Sequence, residues 1–248
     1  MKCQYWMKLF YFLFILFWPN DQSMAITGDS VVFSNLDLSF SESTRTYDSK
    51  KANGIVDRFL NKSRRLTSYR CTMRNFYHQK ALLPDEWFIV AVRYPIAVRV
   101  DLIYPKKGAR LVYLKSTGRV NVKPFGFLDL HLSLSPSNRL LVSRFGHTID
   151  HADFRSFATR ILKPACMARS CLYLGKGIWR KKSVYVLNIA PDALEAHRIF
   201  GRMLLLVDAK TGFPLLIETI SPEGKFMERV EYHNCQMNVL YPKGFFKI

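Results

Sequence analysis

Acidic residues are scarce in this chain. Nineteen Asp and Glu stand against 37 Lys and Arg, a net charge of +18. Such an excess points to anionic partners. Catalytic signatures are absent. There is no glycine-rich phosphate loop, no dinucleotide fingerprint and no serine in a nucleophile elbow, so nothing marks nucleotide-dependent or α/β-hydrolase chemistry. His147 and His151 stand four apart beside Asp150 and Asp153 but lack the HExxH pattern. Asp150 reads better as a helix cap, and no metal or cofactor is expected. Asp85-Glu86 reads as a solvated turn, because a glycosidase draws its two carboxylates from separate elements.

Long apolar runs are missing too. Residues 9–18 (LFYFLFILFW) form an unbroken run of only ten, where a spanning helix needs roughly 20. Two lysines and no acid precede the run. Pro19 and Asn20 break it, and Ser23-Met24-Ala25 has the small-x-small pattern of a signal-peptidase site. Residues 1–25 are therefore expected to be a cleavable export signal, and the location periplasmic. The alternative is a chain tethered to the inner membrane by an uncleaved N-terminal segment. Export excludes ATP- and NAD-dependent work and chromosomal DNA, so the basic excess is matched to lipid headgroups and other envelope acids, with no nucleic acid.

Cysteine is sparse and even after export. Cys3 leaves with the leader, and Cys71, Cys166, Cys171 and Cys235 remain in an oxidising compartment. Three pairings are open. The expected one is Cys166–Cys171, which closes a short local loop, with Cys71–Cys235 joining the first and last strands. The spacings match no zinc site.

The rest is globular, 49% apolar and 23% charged. Residues 26–47 are Ser/Thr-rich and weakly periodic, and are expected to be flexible. From Asp48 or Ser49, Ile55, Val56, Phe59, Leu60 and Leu66 recur at helical spacing, with the firm helix expected over 54–66. At Thr67 the period changes to two. Strands follow at 68–78, 86–94, 96–104, 109–116 and 119–125, separated by Pro and Gly turns. A second amphipathic helix is expected over 150–162. Strands resume at 165–175 and continue to the C-terminus, and residues 191–200 have room for a helical turn. This is one domain over 48–248: α+β, mostly antiparallel, about ten strands with two helices. Two short helices cover only part of such a sheet, and the uncovered apolar face is the physical hint of a cavity.

The segment DAKTGFPLLIETISPEGKFMERVEYHN (208–234) resembles the hairpin of LolA-like periplasmic carriers: Asp208 ends a strand, Thr211-Gly212 turns, Pro214 opens the next strand, and Glu223-Gly224 precedes the last. With EWFIVAVRYPIAVRVDLIYPKKGARLVYL and LSLSPSNRLLVSRF, the chain is similar over residues 55–238 to a little-studied member of that group, the domain of unknown function 1571. The resemblance implies a half-open β-barrel lidded by two helices, with an apolar cavity for acyl chains, in proteins that carry lipids or lipoproteins or sense envelope stress. The arginine that latches the lid in the lipoprotein carriers cannot be placed from any motif here.

Alternation along 96–104 sets Ile96, Val98, Val100 and Leu102 on one side, against Arg99 and Asp101 on the other. The cavity wall is expected from those four with Trp87, Ile89, Val112 and Leu114. Between Lys50 and Lys80 nine basic residues meet one acid, Asp57. Arg58, Lys62, Arg65, Arg70 and Arg74, with Lys181 and Lys182 further on, form the expected anion- or membrane-facing set. The whole reads as a non-enzymatic carrier of a lipid or acylated ligand that docks on an anionic membrane. The alternative is a sensor or interaction module for envelope proteins, and an envelope hydrolase comes third.

Overall fold

The computed structural model describes residues 38–77, 85–95, 97–126, 130–143, 146–190 and 201–248, with backbone alone over 41–47. Among the described residues twelve strands form one antiparallel sheet in the order β1-β8-β9-β10-β11-β12-β2-β3-β4-β5-β6-β7. They are β1 Leu38–Asp48, β2 Ser68–Tyr77, β3 Glu86–Arg93, β4 Ala97–Tyr104, β5 Arg110–Leu114, β6 Arg119–Lys123, β7 Leu132–Leu134, β8 Cys171–Trp179, β9 Lys182–Ile189, β10 Arg202–Asp208, β11 Pro214–Ile220 and β12 Phe226–Met237. The ends of the order, β1 and β7, do not meet, so the sheet is an open half-barrel.

Helix α1, Ser49–Arg65, is capped by Asp48, whose carboxylate accepts the Lys51 N–H at 2.8 Å. It begins a turn before the expected 54–66. Ala52 extends the buried stripe of Ile55, Val56, Phe59, Leu60 and Ser63, and cap and stripe together offset the roughly 1 kcal/mol that Gly54 costs. The second helix departs further from its expected 150–162. Ile149–His151 is a separate 3-10 turn, and the cap is Asp153 rather than Asp150, accepting from the Arg155 and Ser156 N–H groups at 2.9 and 3.2 Å. The helix, α2, then runs through Phe154–Phe157, a π-helical turn Ala158–Leu162 and Lys163–Met167. The wide turn lies just ahead of Pro164, whose ring would strike the carbonyl four residues back in a regular helix. Residues 165–167 are thus helical, and the strand expected from 165 starts at Cys171.

The flexible stretch expected over 26–47 is also corrected at its end. Leu38–Asp48 is an edge strand registered against β8, Leu38 opposite Trp179 and Phe40 opposite Gly177. Glycine is required there, because a Cβ on Gly177 would sit 2.8 Å from the Ser39 carbonyl oxygen. The turn proposed within 191–200 lies outside the described residues, as do residues 1–37.

Side-chain alternation gives the sheet two faces. Tyr69, Cys71, Val90, Val92, Val98, Val120, Val122, Leu205 and Ile217 point to the inner face, where both helices pack. On the outer face Trp179, Val184, Val186, Leu204, Leu206 and Leu216 form a second cluster. A third consists of Ala91, Ala97 and Val112 under Phe246, with Tyr241, Phe245 and Ile248 beside it. The C-terminal residues therefore plaster the outside of β3–β5, and the Arg99 guanidinium donates to the Phe245 carbonyl. Cys71 and Cys235 are bridged, fastening β2 to β12 where the register slips between His233 and Gln236.

Candidate functional site

Beneath the helices the inner face is filled by aromatic rings. Phe154 stacks on Tyr69 with centroids 4.3 Å apart and on Phe213 at 5.4 Å, while Phe59 meets Phe154 edge-on at 6.0 Å. Phe59, Phe154 and Tyr69 are 1–2% exposed. Arg155 holds this lid in place. Its guanidinium donates to the carbonyls of Ser63 at 2.9 Å, Arg64 at 3.0 Å and Leu66, at the last turn of α1. It also lies 3.7 Å from the Tyr94 ring centroid. A cation at the negative end of the helix dipole satisfies carbonyls that lack partners within the helix. Tyr94 in turn donates to the Asp153 carboxylate at 2.9 Å, so the caps of both helices form one network.

Beyond the helices the same face stays apolar but is less deeply buried among the described residues. Met73, Phe88, Val100, Leu111, Tyr113, Leu132, Leu134, Met227 and Val230 are only partly buried. They form a trough across β12 and β2–β7, bordered by Leu141.

The expected wall residues divide between the faces. Val98, Val100 and Leu102 do share the inner face, opposite Val92, Val90 and Phe88. Val98 is 5% exposed and belongs to the packed core, while Val100 and Leu102 are half-buried. Ile89 lies opposite Asp101, and Val112 opposite Arg99. Ile89, Val112, Leu114 and Trp87 therefore belong to the outer face. Val112 and Leu114 pack under the C-terminal residues. Trp87 is 40% exposed and carries the Arg74 guanidinium 4.6 Å from its ring centroid. Alternation sorts residues within one strand correctly, but relating two strands needs the register. The inner positions of β3 and β5 are Phe88, Val90, Leu111 and Tyr113. Ile96 lies outside the described residues.

The basic set is also dispersed. Arg58 and Arg65 are exposed on α1, above the inner face. Lys62 is engaged with the turn after β10, its ammonium donating to the Thr211 carbonyl at 2.7 Å. Arg70 and Arg74 project from the outer face of β2, and Arg74 pairs with Asp85 at 3.1 Å. Lys181 and Lys182 are exposed at the β8–β9 turn. No single face unites them. What does gather is the outer surface of the lid, where Lys50, Lys51, Arg58, Arg64, Arg65, Arg160, Lys163 and Arg169 are all exposed.

The expected Cys166–Cys171 bridge is not formed: both thiols are reduced, Cys171 buried at the start of β8 and Cys166 half-buried in α2. Interaction with the neighbouring Cys171 thiol holds the Cys166 thiol below its ordinary pKa, and the same interaction with burial raises Cys171. Cys166 also lines a cleft of about 170 Å³ between the helices with Asn53, Val56, Asp57, Lys163 and Met167. Among the described residues no group of His, Cys, Asp and Glu is arranged to hold a metal ion. No described helix is long and apolar enough to cross a membrane.

One polar cluster had no sequence signal. At the outer end of the trough Tyr77 donates to the Glu86 carboxylate at 2.7 Å, and the Asn75 amide lies 3.4 Å from the Tyr77 hydroxyl and 3.5 Å from Glu228. His147 Nε2 stands 3.9 Å from Glu228. Glu228 is 3% exposed. Its burial, then the neighbouring Glu86, push its pKa up to about 7.

Solved structures share this architecture. The lipoprotein LppX of Mycobacterium tuberculosis superposes with a TM-score of 0.50 at 13% identity, over 79% of this chain and 99% of that one. A chain of the Pseudomonas aeruginosa MucA/MucB complex gives 0.49 at 15% identity over 80% of this chain, which spans only 61% of its length. A LolA superfamily protein from Nitrosomonas europaea gives 0.36 at 13% identity, over 78% and 96%. The half-barrel fold is shared with LppX, and at 13% identity the likeness is one of fold alone. No family model matches the chain, and no curated protein matches it in sequence.

Proposed function

We propose that this is an exported, non-catalytic binding or carrier protein that shelters the acyl part of a lipid or lipid-modified ligand in the trough. The observation that carries this reading is the contrast along the inner face. Apolar side chains continue past the lid, from Val98 under cover to Val100, Phe88 and Leu111 half-buried. An acyl chain laid there gains about 0.8 kcal/mol per buried methylene, on the order of 10 kcal/mol for a long chain. That exceeds what any polar contact in the trough supplies.

The basic outer surface of the lid supports docking on an anionic leaflet, with each cation near the surface contributing about 1 kcal/mol and the whole screened by salt. Native mass spectrometry of gently purified protein tests the carrier reading: co-purifying lipid is the expected result. A Val100→Asp variant that stays folded should lose that lipid, and unchanged retention would remove the trough from the mechanism.

A second reading, an envelope interaction module that transports nothing, is favoured by one observation. The covered half of the inner face is already occupied by Phe59, Phe154, Tyr69 and Phe213. Protein that is empty in every preparation and takes up no added lipid would select it.

A further inference from the structure

We propose that the outer end of the trough is a headgroup site that takes a cationic amine, the head of an amphiphile whose chain lies on the apolar wall beside it. This deepens the binding reading above and rests on it.

The buried acids of this chain find basic or backbone partners. Glu218 is 2.7 Å from Arg229, and Glu231 is 2.8 Å from Arg180 with His233 at 3.0 Å. Asp101 is 2.7 Å from both Arg99 and Arg110. Asp153 and Asp208 accept backbone N–H groups of a helix cap and a turn. In a chain with 37 basic residues to 19 acidic ones, arginine is at hand for almost any buried carboxylate. Glu228 departs from this pattern. It is 3% exposed, and among the described residues its polar contacts are the Asn75 amide at 3.5 Å and the His147 ring at 3.9 Å. A buried carboxylate so placed is costly unless something supplies the missing charge.

Among the described residues the hydrogen bonds of this cluster leave acceptor capacity over. Tyr77 spends its hydroxyl proton on Glu86, and the Asn75 amide is shared between Tyr77 and Glu228. The Asn75 carbonyl oxygen is buried with no donor at all. Lys106, in the β4–β5 turn, feels the charge of Glu86. Two carboxylates and an orphaned amide oxygen together offer what an ammonium group needs, several acceptors and compensating charge.

The placement suits an amphiphile. Glu228 lies opposite Tyr77 and Thr219, so it shares the inner face with Val230, two residues along β12. Asn75 and Tyr77 follow Met73 on that face of β2, and Glu86 precedes Phe88 on β3. Ligand chain and head would therefore lie along the same strands.

The test compares decylamine with decanol, which differ only in the head, by isothermal titration of the full chain at pH 8. The expected result is tighter binding of the amine. Glu228→Gln, which keeps the shape and removes the charge, should cut amine affinity about ten-fold, or 1.4 kcal/mol, and leave decanol unchanged. Glu86→Gln provides a second variant with the same expected selectivity. Equal binding of the two probes by the wild type, or amine binding untouched in both variants, overturns the headgroup site while leaving the trough intact. Binding of neither probe by the wild type overturns the trough itself, and the headgroup site with it.

Discussion

The covered and uncovered halves of the inner face are made of similar residues put to different uses. Under α1 and α2, Phe154 is enclosed by Tyr69, Phe213, Phe59 and Tyr232 and is 2% exposed. A few residues further along the same strands, Met73, Phe88, Val100 and Leu111 are as apolar yet only half-buried. The covered half is a core that repays the entropy of ordering the lid. The other half keeps apolar area that the described residues cover only in part. On the proposed reading stability and binding separate along single strands, and on β4 the change falls within three residues, Val98 belonging to one half and Val100 to the other.

Mutations should break that comparison in graded steps. The largest effect is expected from removing the Cys71–Cys235 bridge by Ser substitution at both positions. It closes a loop of 164 residues, and its loss should cost about 4 kcal/mol in denaturant titrations. Phe154→Ala should follow, at about 3–4 kcal/mol, because it opens a void at the centre of the ring cluster. Charge in the uncovered half should act oppositely. The folded-state pKa of Glu228 is raised to about 7 from 4.5, so its contribution to stability is undiminished below the unfolded value and falls as pH rises from there to about 7. Glu228→Gln should therefore be more stable than wild type at pH 8, by roughly 2–3 kcal/mol, with the gain vanishing toward pH 4. Thermal melts at the two pH values check the sign. The smallest effect is expected at Lys62→Ala, whose partly exposed hydrogen bond to Thr211 should be worth under about 1 kcal/mol.

Much of this architecture was legible residue by residue. Asp48 as a cap, the stripe of α1, the strand runs from β2 to β6 and the turn at Thr211-Gly212 all announce themselves through local patterns. The failures share a cause. Trp87, Ile89, Val112 and Leu114 alternate as cleanly as the true inner residues. Which parity faces inward depends on the register with β2 and β4, and on the C-terminal residues that cover the outside. β1 lacks apolar alternation because an edge strand can be held by backbone hydrogen bonds to β8. The Glu228 cluster draws on β2, β3, β12 and a loop, with no spacing to betray it. Arg155 could have been suspected only from its position beside the Asp153 cap.

The amino-acid sequence by itself determined the local elements: helix caps, apolar periods and turns, all set by interactions within about ten residues. Only the tertiary structure decided which face is inner, how the lid packs on it, and that Glu228 is buried with no arginine beside it among the described residues. Those properties depend on side chains that meet from strands far apart in the chain, where register and packing, not local preference, settle the neighbours.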